Sequence, residues 1–238
     1  MRIIASSTVF AAVLTFASTA AHAETIGWNE WADRYPGVAK YYTPEYSGLT
    51  LVEQEDRFTP HSGLIIPDDC QPPRISESVP GLEDMDPIIA LGEKVWKLID
   101  AGRPVVNFQA PVAHALPNAT TCWTELENWR PPASQTWEVN YKNGFDMNVV
   151  RFRFKVVYSA GGKWESKGAY LANVTVLPAA LDVAWGYTVN AQTMVGRALN
   201  LGTKENPVAG LQLLVSWNVK TVVKDSTMSE SIFVRADR

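Results

Sequence analysis

The stretch QTWEVNYKNGFDMNVVRFRFKVVY, residues 135–158, decides the fold class. Trp137, Val139 and Tyr141 alternate with polar neighbours. Beyond Asn143-Gly144, Val150, Phe152, Phe154, Val156 and Tyr158 alternate with Arg151, Arg153, Lys155 and Val157. Period two is the mark of a strand packed on one side and wet on the other. Asn143-Gly144 is a type I′ hairpin signal. A two-residue turn there sets Trp137 opposite Val150, on one face with Phe152 and Phe154.

Toward the C-terminus the pattern repeats. Gly161-Gly162 predicts a turn. Tyr170, Ala172, Val174 and Val176 form the next apolar row, which Pro178 ends. Leu181, Val183, Trp185, Tyr187, Val189 and Ala191 read as another strand. After a loop at 196–207, Leu211, Leu213, Val215, Trp217, Val219 and Val223 alternate with mostly polar residues, and Ile232 and Val234 mark a last strand. Strands this long should twist and curl, with Gly168, Gly186 and Gly210 as candidate bends. Trp96, Trp137, Trp185 and Trp217 fall on faces expected to be buried.

Toward the N-terminus, Asp86-Pro87 predicts the start of a helix over 87–101. Ile88, Leu91, Val95 and Leu98 form its stripe, Trp96 and Ile99 widen it, and Gly102 and Pro104 stop it. The expected fold is mainly β (α+β): a strongly twisted antiparallel meander of about six to seven long strands with this helix packed on it. The alternative is a β-sandwich with a peripheral helix.

Residues 24–86 are irregular and aromatic-rich. Trp28, Trp31 and Tyr35 share one face of a short helix that Pro36-Gly37 ends. Runs at 49–52 and 64–66 suit single edge strands. The expectation is a coat laid on a helix-plus-sheet domain at 87–238 and pinned by a Cys70–Cys122 disulfide. These are the chain's two cysteines, both in polar, proline-containing loop sequence.

Residues 1–23 read as a cleaved signal peptide: Arg2, an apolar run over 3–16, and Ala21-His22-Ala23 at the cleavage site. The run is too short to span a bilayer, and no later run approaches the length that would. The expected location is periplasmic or secreted. Without Arg2, 20 Lys and Arg face 25 Asp and Glu, which gives no drive toward nucleic acid or an anionic membrane.

Motifs for chemistry are absent. Beyond residue 23 the histidines are His61 and His114, and neither sits in a G-x-S-x-G or H-E-x-x-H context. No catalytic residue, cofactor or metal site is assigned. Asp68-Asp69 and Glu83-Asp84-x-Asp86 lack the glycine and closing Glu of a calcium loop. Acids such as Glu53, Glu55, Asp56, Glu125 and Glu127 lie in polar sequence, and a carboxylate pair remains the one enzymatic option. Arg151, Arg153 and Lys155 read as a solvated outer face. The spare aromatics, Trp28, Trp31, Tyr35, Trp123 and Trp129, are the candidate ligand-binding residues.

The expectation is an exported, soluble, non-enzymatic binding or envelope-associated protein with an apolar or carbohydrate-like ligand. Its alternatives are a carboxylate-dependent glycan hydrolase or lyase, and a structural partner subunit of an envelope or secreted complex, docking on another protein.

Overall fold

The computed structural model describes residues 28–57, 70, 72–75, 87–106, 110–120 and 122–238. Residues 1–23, the run at 64–66, His61 and the acidic pairs at 68–69 and 83–86 lie outside them.

Among the described residues two short α-helices, α1 (Trp28–Arg34) and α2 (Pro36–Tyr41), precede eleven strands. These are β1 (Glu45–Glu55), β2 (Ile88–Gly92), β3 (Val95–Asp100), β4 (Arg103–Pro104), β5 (Ala113–Pro117), β6 (Ala133–Lys142), β7 (Asn148–Trp164), β8 (Lys167–Val183), β9 (Thr188–Asn200), β10 (Ala209–Lys220) and β11 (Asp225–Arg235). Sheet one has the order β1-β6-β7-β8-β5-β2, and sheet two the order β11-β10-β9-β3-β4. Every ladder between named strands is antiparallel.

The fold is therefore mainly β and antiparallel, with two meanders, β6-β7-β8 and β9-β10-β11, in separate sheets. The inner faces of both sheets share one core. Sheet one supplies Tyr141, Phe152 and Phe154, and sheet two supplies Trp96, Leu211 and Trp217, all buried. Trp217 Nε1 donates to Tyr141 Oη at 3.1 Å, so the polar tips of two core aromatics satisfy each other across the layers.

The helix expected over 87–101 is not formed. The segment is β2 followed by β3, and the chain passes from sheet one to sheet two between them. Gly92 makes the corner. Its φ is +126°, and a Cβ there would sit 2.2 Å from the Val112 carbonyl oxygen. Ile88 to Gly92 are all buried, and β2 has β5 on one side and Pro73 and Ile75 on the other. Such a run carries no period of its own, and Gly92 reads equally as a residue inside a helix. Val95, placed on the helical stripe, is exposed.

Other expectations shift in register. Residues 143–147 form a five-residue connection, so Trp137 faces Phe154 rather than Val150. The slip is four places, an even number, so every side chain keeps its face. Gly161-Gly162 lies inside β7. The tight turn is Glu165-Ser166, both at positive φ, closed by the Trp164–Lys167 pair. Pro178 does not end β8. It sits opposite Phe154 beyond the reach of β5, where β8 has one neighbour and a missing N–H costs nothing.

Residues 181–191 are not one strand. The chain turns at 184–187, where Tyr187 N–H donates to Ala184 O at 3.2 Å, and changes sheets. Trp185, expected in the core, is 82% exposed on that turn. Residues 45–55 form an edge strand paired along β6, longer than the run expected at 49–52. The Cys70–Cys122 disulfide is formed, and it ties the segment flanking β2 to the chain just beyond β5.

Candidate functional site

α2 lies at one end of the sandwich, where three connections converge on it. Its Lys40 carbonyl accepts from Gly144 N–H in the β6–β7 connection at 2.9 Å. Tyr41 Oη donates to the Trp185 carbonyl in the β8–β9 turn at 3.1 Å, and Tyr187 Oη donates back to the Tyr41 carbonyl. Thr221 Oγ1, in the β10–β11 turn, donates to the Tyr42 carbonyl at 2.8 Å. Lys224 Nζ reaches the Pro44 carbonyl at 3.1 Å.

Rings fill the space between. Tyr42 lies 4.9 Å from Tyr41, 6.3 Å from Tyr187 and 6.4 Å from Trp185, centroid to centroid. Gly186, at φ +80°, lets the turn press on Tyr42; a Cβ there would fall 2.5 Å from that ring. Burial, together with the neighbouring Tyr41 and Tyr42 phenols, pushes the Tyr187 phenol up to about 12. It remains a donor at any physiological pH.

This frame holds an apolar rim in water. Trp185 is 82% and Val222 78% exposed, and Tyr35, Val38, Phe145 and Met147 are each roughly half exposed. Lys40 Nζ stands 5.9 Å from the Phe145 ring centroid. Beside Trp185 a shallow concavity of about 380 Å³ opens between the start of β7 and the end of β8, with Asn148, Arg151 and Asp182 on its walls. Arg151 Nε donates to Asp182 Oδ2 at 2.8 Å. The arrangement offers stacking, apolar cover and a few hydrogen bonds, which is binding chemistry.

The candidate aromatics fall in two places. Trp28 opens α1, and Trp31 packs on Tyr35 at 5.7 Å next to α2. Trp123 and Trp129 pair at 6.3 Å near the far end of β7, with Trp129 Nε1 donating to the Trp123 carbonyl at 3.2 Å. Trp129 covers Gly162, where an added Cβ would meet its ring at 2.5 Å. From Asn148 to Gly162 the strand runs on the order of 45 Å. The five residues therefore do not form one site. Trp31 and Tyr35 join the α2 end, while Trp123 and Trp129 dock the 122–130 segment onto sheet one. The α2 end also exposes Trp185 and Val222, which the sequence did not single out as surface residues. The one available signal for Trp185 was its place in Trp185-Gly186, a turn dipeptide inside an otherwise alternating run.

Among the described residues, Glu53, Glu55 and Glu138 are each held by a cation. Glu55 and Glu53 both flank Lys155, at 3.3 and 4.0 Å. Glu138 binds Arg153, and the Asn140 amide, followed by Arg153, holds its carboxyl below the usual range, so it is ionised and unsuited to donate a proton. Among the described residues no three His, Cys, Asp or Glu side chains gather as a metal site. His114 is on β5 and fully buried, and its Nδ1 accepts from the Asn173 N–H at 3.4 Å. No helix among the described residues is long and apolar enough to cross a membrane.

The chain matches no protein-family model, no curated protein and no solved structure.

Proposed function

We propose that this is an exported, non-enzymatic binding or envelope-associated protein that engages an apolar or carbohydrate-like ligand with the α2 end of the sandwich. One observation carries the reading: Trp185 stands almost wholly in water on a turn fixed by Tyr41, Tyr42 and Tyr187. An exposed tryptophan forgoes burial that would contribute several kcal/mol. A turn already fixed in place spares the backbone ordering that a ligand would otherwise have to impose. The disulfide and the leader-like residues 1–23 support export into an oxidising compartment.

The ligand is held at the surface. The space between the sheets is filled by Trp96, Trp217, Tyr141, Phe152 and Phe154. The test is a screen of the purified protein against glycans, peptidoglycan fragments and phosphatidylcholine vesicles, read by tryptophan emission. Saturable binding that Trp185→Ala weakens at least roughly tenfold, with an unchanged melting temperature, is the expected result. Failure to bind any of the three, or binding indifferent to that substitution, removes the reading.

A further inference from the structure

The outward face of sheet two has a composition that wetting a sheet does not require. Between the Thr188–Lys220–Asp225 row at one end and Arg197 and Arg235 at the other, β9, β10 and β11 turn eleven side chains outward. None is charged. Asn190, Asn218 and Thr227 form one row across the strands, and Gln192, Ser216 and Ser229 the next. Met194, Leu214 and Ser231 follow, then Gln212 and Phe233. A soluble surface ordinarily carries charge at a quarter to a third of its positions.

The polar groups are held in place. Ser216 and Ser229 hydroxyls meet at 2.9 Å, Asn218 Nδ2 donates to Thr227 Oγ1 at 3.0 Å and to the Asp225 carboxylate in the end row, and Gln212 Nε2 donates to Ser231 Oγ at 2.6 Å. At the β3 margin the face deepens into a groove of about 200 Å³, walled by Gln192, Ser216 and Asn218 and by Lys97 and Asp100. Those two charges pair with each other at 3.5 Å, so the groove is neutral as well.

From this juxtaposition we infer that the outward face of sheet two binds a neutral polysaccharide chain laid across the strands. Hydroxyls and amides both donate and accept, as sugar hydroxyls do, and a face without net field imposes no desolvation of ions on an uncharged ligand. Rows cross the sheet at steps of about 4.8 Å, near the rise of successive rings in an extended glycan. An acidic polymer would find one cation beside the rows, Lys97 next to Gln192, already paired with Asp100, and an apolar partner would bury hydroxyls without replacing their water.

This goes beyond the α2-end reading and uses a different surface, so the two fail separately. The test is a titration of the isotope-labelled protein with cellohexaose and with chitohexaose, followed by backbone amide shifts, with polygalacturonate as the acidic comparator. The expected result is saturable shifts from at least one neutral oligomer at 190–194, 214–218 and 227–231, with or without shifts around Trp185, unchanged between about 0.05 and 0.5 M salt. Gln192→Glu weakens the binding at least roughly tenfold. Thr227→Lys, on an exposed position that tolerates charge, does the same. No saturable shift with either neutral oligomer overturns the proposal. So does a salt-sensitive response to polygalacturonate alone, shifts only around Trp185, or undiminished binding by the charged variants.

Discussion

Sheet one and sheet two each keep one side wet, and they do it with different chemistry. Across sheet one the outward rows of β1, β6, β7 and β8 are ionic: Arg151 faces Asp182, Arg153 faces Glu138, and Lys155 sits with Glu53 and Glu55. Across sheet two the central outward rows of β9, β10 and β11 are hydroxyls, amides and three apolar side chains, with charge only at the margins. Hydration alone explains the first face. Crossed pairs of opposite sign keep a sheet soluble and oppose mispairing at little cost in stability. It does not explain the second, where an ordinary sequence would have scattered lysines and glutamates. The contrast separates a face selected to stay in water from one selected to meet a neutral, hydrogen-bonding surface.

The sheets also differ at their margins, and the largest effect is expected there. The disulfide joins the segment that flanks β2 to the chain leaving β5, and both strands belong to sheet one. Its partners are 52 residues apart, for which chain entropy gives about 4 kcal/mol. The double substitution Cys70→Ser, Cys122→Ser should lower stability by roughly that much in denaturant titration. Hydrogen exchange should show β2 and β5 losing protection before β9, β10 and β11. Equal loss in both sheets would erase the asymmetry.

Next in size is an alkaline transition, because two phenols tie the sheets together. Tyr46, on β1, donates to Glu230 Oε1 on β11 at 3.3 Å, and burial followed by the Glu230 charge pushes it up to about 12. Tyr187, in the turn joining the sheets, is pushed equally high. Both start from an ordinary value of 10.0. Folding disfavours their ionised forms, so their contribution is complete below pH 10 and is lost as pH rises from about 10 to about 12. Stability measured over that window should fall, and Tyr46→Phe should flatten the fall. A profile that is flat to pH 12 counts against the bridging role.

How far this contrast was legible in the sequence depends on the type of signal. Alternation in 135–158 and 211–219 placed Phe152, Phe154 and Trp217 correctly, because period two survives any even register slip. The ionic face was legible too, since Arg151, Arg153 and Lys155 share a parity; their acids, arriving from β1, β6 and β8, were not. The segment 88–100 failed because a strand buried on both sides has no period, and only Gly92 at a positive φ marks the crossing. Trp185 failed because the turn at 184–187 preserves alternation on either side of it. The amide and hydroxyl rows are invisible in one dimension. Asn190, Ser216 and Ser229 lie far apart in sequence, and each alone is an ordinary polar residue on the outside of a strand.

The two smallest effects test the faces directly. Glu138→Ala removes a mostly buried carboxylate from Arg153 and Asn140 and should cost about 1 kcal/mol at low salt, less at high salt as Arg153 is screened. Acid should act the same way. The Glu138 carboxyl lies below its usual range, so its contribution is present above the ordinary carboxylate value and lost as pH falls through its depressed one. Ser216→Ala breaks only the 2.9 Å contact with Ser229, both hydroxyls being open to water, and should cost about 0.5 kcal/mol or less with no salt dependence. Measured by denaturant midpoints in low and high salt, the pair should diverge in salt response more than in size. If Ser216→Ala costs as much as Glu138→Ala, the hydroxyl rows are structural glue for sheet two, and their neutrality needs no ligand to explain it.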